Sequence, residues 1–196
     1  MARAVDEYGS TVFTDSARDR YQLNRLQRLM AATAWSQARQ LSAGDFVPAG
    51  AEAGFRNMEE LDASVLELPH GARMLLTGRI DRVDVCETGG AAYVKIMDYK
   101  TGNVTFDLTE VYYGLQLQLA VYLDAAMDML RREGRCPVPA GMFYCHIGDP
   151  VVDYREMETD DETARRIMTE LRLSGPALQD MDVLKHLDHE LRPEKS

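Results

Sequence analysis

Residues 78–102 read GRIDRVDVCETGGAAYVKIMDYKTG, and this stretch decides the fold. Two runs rich in β-branched residues flank the pair Gly89 and Gly90. Glycine accepts the positive φ that a two-residue turn between antiparallel strands requires. The pattern therefore predicts a β-hairpin whose two central turn residues are the glycines, so that Thr88 faces Ala91.

The predicted register brings two carboxylates together at one end of an apolar sheet face. Asp81 falls directly opposite Asp98, with Cβ atoms about 4.5–5.5 Å apart, and Lys100 shares the face because side chains alternate along a strand. Opposed like charges repel, and a divalent cation such as Mg²⁺ or Mn²⁺ relieves the repulsion, since carboxylate oxygens are suitable ligands. A nearby ammonium orients metal-bound water or stabilises developing charge, which suits phosphodiester hydrolysis. The alternative is a surface ion network in which Asp81 pairs with Lys100 or Arg79.

The three motifs around this hairpin resemble those of the PD-(D/E)xK nuclease superfamily, specifically its RecB/AddB branch. In that branch G-x-I-D-R-x-D is followed by a turn, by I-x-D-Y-K-T-G, and by a helix reading G-L-Q-L-Q-L-x-x-Y-L. Matching segments occur here in the same order at residues 78–84, 96–102 and 114–123. The resemblance implies an α/β fold with a restriction-endonuclease-like αβββαβ core, a central mixed sheet and flanking helices.

The resemblance also implies a ligand set for the metal. Asp81 and Asp98 are the expected metal ligands, and the backbone carbonyl of Tyr99 is a further candidate. Glu52, in a segment reading F-x-P-x-x-x-E-x-x-F, corresponds to an upstream acid that often joins the site in the family. An ordinary surface glutamate remains an equal alternative for Glu52.

Three more side chains are expected to take part in the reaction. Lys100 would orient the attacking water or stabilise charge on the phosphorus centre. Gln118 and Tyr122 are four residues apart, so they share one face of the predicted helix. They are either a hydrogen-bonded pair in the core or, as the resemblance implies, the residues that position the scissile strand. Gln116 points elsewhere and is expected to be structural.

The function implied by the resemblance is that of a nuclease domain in a helicase–nuclease of the AddAB/RecBCD type. It would be an Mg²⁺-dependent (or Mn²⁺-dependent) exonuclease that hydrolyses single-stranded DNA during double-strand-break repair, beside an AddA-type subunit. Two alternatives stay open, namely a stand-alone exonuclease of the same superfamily and a non-catalytic nuclease-fold scaffold that binds a partner protein or DNA.

Two departures from the family pattern suggest an excised piece of a longer chain. The RecB branch carries a histidine well upstream of the two acids, and none precedes His70 here. Full-length AddB proteins carry a [4Fe–4S] cluster on four cysteines, and Cys86, Cys136 and Cys145 do not match that pattern. We therefore expect no cluster to be ligated within this chain.

The composition indicates a globular protein with one domain's worth of chain. Of 196 residues, 45% are hydrophobic and 28% are charged, and no apolar run approaches the ~20 residues of a membrane span. The net charge of −10 argues against a free-standing DNA-binding protein, because such proteins usually have a basic surface. Another part of a larger assembly would then deliver the DNA. We expect a cytoplasmic protein with an N-terminal helical arm at 1–45, and a nuclease core with C-terminal helices at 46–196.

Hydrophobic periodicity and capping residues predict the remaining elements. The predicted helices lie at about residues 14–41, 108–132, 162–173 and 179–187, and the predicted later strands at 140–147 and 151–157.

Overall fold

The computed structural model describes residues 16–51, 64–67, 70, 73–76, 78–102, 104–150, 153 and 159–190. The predicted strand at 151–157 lies outside these residues except for Asp153. The chain divides into two compact units, Met1–Arg39 with Ile147–Arg172, and Gln40–His146 with Leu173–Ser196. The boundary expected at position 45 stays a prediction.

The elements run in chain order as α1 (Ala17–Ser42), β1 (Val47–Ala51), β2 (Ser64–Glu67), β3 (Arg73–Leu76), β4 (Arg82–Thr88), β5 (Ala91–Lys100), α2 (Leu108–Tyr112), α3 (Gln118–Arg132), β6 (Pro137–His146), α4 (Asp160–Glu170) and α5 (Met181–Leu187).

Side-chain caps begin the two helices of the first unit. The Ser16 hydroxyl accepts a hydrogen bond from the backbone N–H of Asp19 at 3.1 Å, as the capping pattern predicts for α1. At α4, Thr159 and Glu162 form a reciprocal capping box, in which each side chain accepts from the other residue's backbone N–H. No helix in the described part of the chain is long and apolar enough to cross a membrane.

A mixed four-stranded sheet forms the centre of the second unit, in the order β1-β4-β5-β6. The pairs β1–β4 and β4–β5 are antiparallel, whereas β5 and β6 are parallel and are joined through α2 and α3. Strands β2 and β3 form a separate antiparallel pair. The order α1, β1, β4, β5, α3, β6 reproduces the expected αβββαβ plan and confirms the α/β fold with a mixed sheet.

The β4–β5 hairpin has the predicted register. Its pairs run from Thr88 opposite Ala91 to Arg82 opposite Met97. Both turn glycines have positive φ, 59° and 80°, as a tight two-residue hairpin turn requires.

Both faces of this hairpin are buried. The face that ends in the acids packs with α3 in one apolar cluster that includes Val83, Val94, Ile96, Leu119 and Leu130. The opposite face carries a second cluster formed by Phe46, Cys86, Ala140 and Val183. Because Val183 belongs to α5, helices supply apolar residues on both sides of the sheet.

The prediction of one continuous helix at 108–132 is wrong, because two helices with a turn between them occupy this range. Gly114 has a φ of 79°, which ends helical geometry. The Gln116 side chain holds the turn by donating to the Thr105 carbonyl at 3.1 Å and accepting from the Asp107 backbone N–H at 3.2 Å. This contact agrees with the structural role expected for Gln116.

Candidate active site

The candidate site lies within the second unit, where the end of β5 meets the first turns of α3. β5 contributes Asp98 and Lys100, and Asp81 immediately precedes β4. α3 contributes Gln118 and Tyr122, which lie one turn apart. The hairpin register and the crossover to α3 therefore bring together residues that are far apart in the sequence.

Asp98 is a buried carboxylate whose two oxygens have different surroundings. The residue is 3% exposed, and Oδ1 accepts a hydrogen bond from Gln118 Nε2 at 3.0 Å. Oδ2 forms an ion pair with the Lys100 ammonium, whose Nζ lies 2.6 Å away. Burial raises the pKa of Asp98 above its usual value, although the neighbouring Lys100 acts in the opposite direction. Burial therefore disfavours the charged form of Asp98, and Lys100 and Gln118 are the partners that stabilise it.

Lys100 supplies the positive charge of the site. Its ammonium donates to Gln118 Oε1 at 3.0 Å and lies 5.5 Å from the ring centroid of Tyr144. Burial alone would lower the pKa of Lys100, but the Asp98 carboxylate outweighs it and holds the pKa above its ordinary value. Lys100 is therefore a cation at neutral pH, which suits electrostatic stabilisation rather than proton abstraction.

Asp81 approaches the same group from the neighbouring strand. Its Oδ2 accepts a hydrogen bond from the backbone N–H of Tyr99 at 2.8 Å. Its negative charge contributes to the raised pKa values of both Asp98 and Lys100. Lys100 contacts Asp98, and Asp81 lies close enough for its charge to act on both groups. The paired register ends at Arg82 opposite Met97, so the direct opposition of Asp81 and Asp98 stays a prediction.

Gln118 and Tyr122 are hydrogen-bonded to each other, as their spacing allows, but Gln118 is exposed, so the expectation of a pair in the core is wrong. Gln118 Nε2 lies 3.2 Å from the Tyr122 hydroxyl, which accepts its hydrogen bond. A Cβ at Gly78 would lie 2.8 Å from Tyr122 Cε1, so glycine at this motif position makes room for the ring. The single Gln118 amide thus connects the phenol, Asp98 and Lys100.

Tyr144 is a residue of the site that sequence reasoning missed. It is 4% exposed and lies opposite Asp98 in the parallel β5–β6 register, which places its ring beside Lys100. A cation over an aromatic face gains about 0.5–2 kcal/mol. A usable signal existed, because a strand that follows a crossover helix commonly runs parallel to the strand before that helix.

The remaining candidates do not join this group in the described structure. Glu52 lies outside the described residues, so its role stays a prediction. His146 Nδ1 is 3.2 Å from the Gly102 carbonyl oxygen, a contact with the backbone near the end of β5. Within the described ranges, no cluster of three or more His, Cys, Asp or Glu side chains is placed to hold a metal.

The donor set nevertheless fits a Mg²⁺ ion. The buried Asp98 carboxylate supplies oxygen donors, and the Asp81 carboxylate is a second oxygen donor group whose charge acts on Asp98. Mg²⁺ is usually bound through one or two carboxylates and keeps several waters, so two acids meet its requirement.

Comparison with known proteins agrees with this geometry. A family model of the PD-(D/E)XK nuclease superfamily matches residues 1–192. The chain is 40% identical over 185 residues to the AddB-type ATP-dependent helicase/deoxyribonuclease protein of Caldanaerobacter subterraneus subsp. tengcongensis, covering 94% of the chain and 16% of that protein. It is 38% identical over 192 residues to the protein of the same description from Clostridium novyi, covering 96% of the chain and 17% of the relative.

The chain thus spans about one sixth of the length of these relatives. The family model, in contrast, covers nearly the whole chain and agrees with the mixed sheet that carries the two acids. The chain therefore belongs to the PD-(D/E)XK nuclease superfamily.

Proposed function

We propose that this chain is the metal-dependent nuclease domain of a helicase–nuclease subunit and hydrolyses phosphodiester bonds of single-stranded DNA. The observation that carries the proposal is the buried Asp98 carboxylate, which contacts Gln118 through one oxygen and Lys100 through the other and experiences the negative charge of Asp81. A carboxylate kept in this state costs stability in the metal-free protein, which is typical of residues retained for function.

In this proposal Asp81 and Asp98 hold Mg²⁺ or Mn²⁺, with the Tyr99 carbonyl and Glu52 as further ligands. When bound, the ion supplies Lewis-acid polarisation of the phosphate oxygens and lowers the pKa of a coordinated water. A bound cation would also offset the repulsion between the two carboxylates.

The protein side chains supply orientation and charge. Lys100, which is protonated at neutral pH, orients the attacking water and stabilises the negative charge that develops on the phosphate. Gln118 is held by hydrogen bonds to Lys100, Asp98 and Tyr122, so its amide has a fixed direction. Gln118 and Tyr122 would position the scissile strand beside the acids.

The wider assignment follows from the relatives. Their description names a helicase and deoxyribonuclease subunit, which supports DNA unwinding ahead of the nuclease and a partner subunit. An AddA-type partner, double-strand-break repair and a cytoplasmic location are further parts of this proposal. The net charge of −10 is compatible with DNA being delivered by other parts of such an assembly. Any [4Fe–4S] cluster would be ligated outside this chain.

Cleavage of an end-labelled single-stranded oligonucleotide by the full-length protein that contains this chain tests the proposal. We expect cleavage with Mg²⁺ or Mn²⁺ and none in EDTA. Asp98→Ala should lower kcat at least about a hundredfold, because several kcal/mol of transition-state stabilisation depends on the metal. A matched duplex substrate, supplied without ATP so that no unwinding occurs, should be cut more slowly.

The matched control is Asp128→Ala, which removes an exposed carboxylate of α3 that pairs with Arg131. This variant should cleave at the wild-type rate. Equal cleavage by the Asp98 variant and the wild type would contradict the proposal and favour a non-catalytic scaffold.

A further inference from the structure

A buried cluster of charges lies on the hairpin face opposite the candidate site. Arg82 donates from Nε to Asp84 Oδ1 at 2.6 Å and from Nη2 to Oδ2 at 2.9 Å. Lys95 Nζ lies 3.3 Å from the same Oδ2. Arg82, Asp84 and Lys95 are only 6%, 0% and 5% exposed, so the cluster is sealed from water.

Tyr99 connects this cluster to the candidate site. Tyr99 lies two residues beyond Met97, the strand partner of Arg82, so its side chain is on the Arg82 face, where it interacts with the guanidinium. Its backbone N–H donates to the Asp81 carboxylate. Because side chains alternate along β5, Tyr99 points to the Arg82 face while Asp98 and Lys100 point to the other. Tyr99 is therefore held from both sides of the sheet, between the proposed metal ligand Asp98 and Lys100.

Stability alone does not explain why charges occupy this position. Replacing a buried ion pair with apolar residues of similar volume is often neutral or stabilising. The cluster instead orients the Arg82 side chain. The bidentate contact with Asp84 fixes the plane of the guanidinium and therefore the direction of its remaining N–H donors. The Arg82 guanidinium therefore faces Tyr99 in one fixed orientation.

We propose that Arg82, oriented by Asp84, is a positioning residue that locks Tyr99 and, through the Tyr99 peptide group, sets Asp81 relative to Asp98 and Lys100. The consequence for cleavage rests on the proposed function, whereas the positioning itself can be measured without metal or DNA. Lys95 completes the charge balance of the cluster by pairing with Asp84.

The test is hydrogen–deuterium exchange of the metal-free full-length protein, followed at the Tyr99 amide in Tyr99→Phe. This substitution keeps the ring and the Arg82–Asp84 pair and removes only the phenol oxygen. We expect the Tyr99 amide to exchange about three to ten times faster, as loss of one hydrogen bond predicts. Tyr93→Phe is the control, because Tyr93 is a partly buried tyrosine on the same face of β5, packed in the second apolar cluster.

Arg82→Lys provides a second variant that keeps the positive charge and loses the two-pronged geometry. It should accelerate exchange of the Tyr99 amide in the same direction. In the cleavage assay, Tyr99→Phe should lower kcat about three- to tenfold and leave KM for DNA unchanged, because the substitution disturbs positioning and not binding.

The proposal is overturned if the Tyr99 amide exchanges at the wild-type rate in Tyr99→Phe, or if Tyr93→Phe accelerates it equally. Faster exchange confined to the Tyr99 and Arg82 variants supports it. A wild-type protein that cleaves no DNA would remove the proposed nuclease function while leaving the exchange result to decide the positioning role.

Discussion

Replacing Asp84 with asparagine should strongly destabilise the second unit, although Asp84 lies outside the candidate site. Asp84 is fully buried and compensates two cations, Arg82 and Lys95, at 2.6–3.3 Å. Asp84→Asn removes the negative charge and turns an amide donor toward cations that cannot accept it. Breaking a buried pair by neutralising one partner costs about 3–5 kcal/mol, and we expect a loss of this size.

The loss should depend on pH in a defined direction. Burial lowers the pKa of Lys95 below its usual 10.5, and Asp84 acts to raise it. Between the lowered pKa and 10.5 the unfolded state binds more protons than the folded state, so stability rises with pH. Without Asp84 the pKa of Lys95 falls further and this window widens. The deficit of Asp84→Asn should therefore shrink between pH 7 and pH 10.

Urea unfolding followed by far-ultraviolet circular dichroism measures both effects. With a slope of about 2 kcal/mol per molar urea, the midpoint at pH 7 should fall by about 1.5–2.5 M. Asp128→Asn is the control, because it removes an exposed ion pair worth at most about 1 kcal/mol. An Asp84→Asn deficit no larger than that of the control, or one that is constant with pH, would refute the reasoning.

Three further predictions concern other parts of the second unit. Tyr144→Leu should lower kcat for DNA cleavage about three- to tenfold, while Tyr144→Phe, which keeps the ring beside Lys100, should cleave near the wild-type rate in the same assay. Gly175→Ala should lower the free energy of unfolding by about 1–3 kcal/mol in urea titrations, because its Cβ would collide with the Met142 carbonyl. Hydrogen bonds to two histidines lower the pKa of Asp45, so its stabilisation is present above pH 3.8 and is lost as pH falls through the lowered value. The difference in urea midpoint between wild type and Asp45→Asn should accordingly close below pH 4.

The sequence by itself determined the features that depend on neighbouring residues. The paired glycines set the hairpin turn, and alternation along β5 placed Asp98 and Lys100 on one face, with Asp81 predicted at the same end. The spacing of Gln118 and Tyr122 likewise predicted their contact, because residues four apart on a helix are neighbours. In each case the chain between the residues is short or regular, so local backbone geometry is enough to predict which side chains are neighbours.

Three features of the structure depend on tertiary contacts that the sequence pattern did not predict. The helix expected at 108–132 is interrupted at Gly114, which has a positive φ, and the Gln116 side chain holds the turn through bonds to the backbone of residues 105 and 107. The parallel pairing of β6 placed Tyr144 opposite Asp98, and α5 contributes to covering the second hairpin face, where Arg82 and Asp84 are buried. These features arise from segments distant in sequence, and burial changes what a charged residue does, since the same side chains exposed to water would form only a weak surface pair.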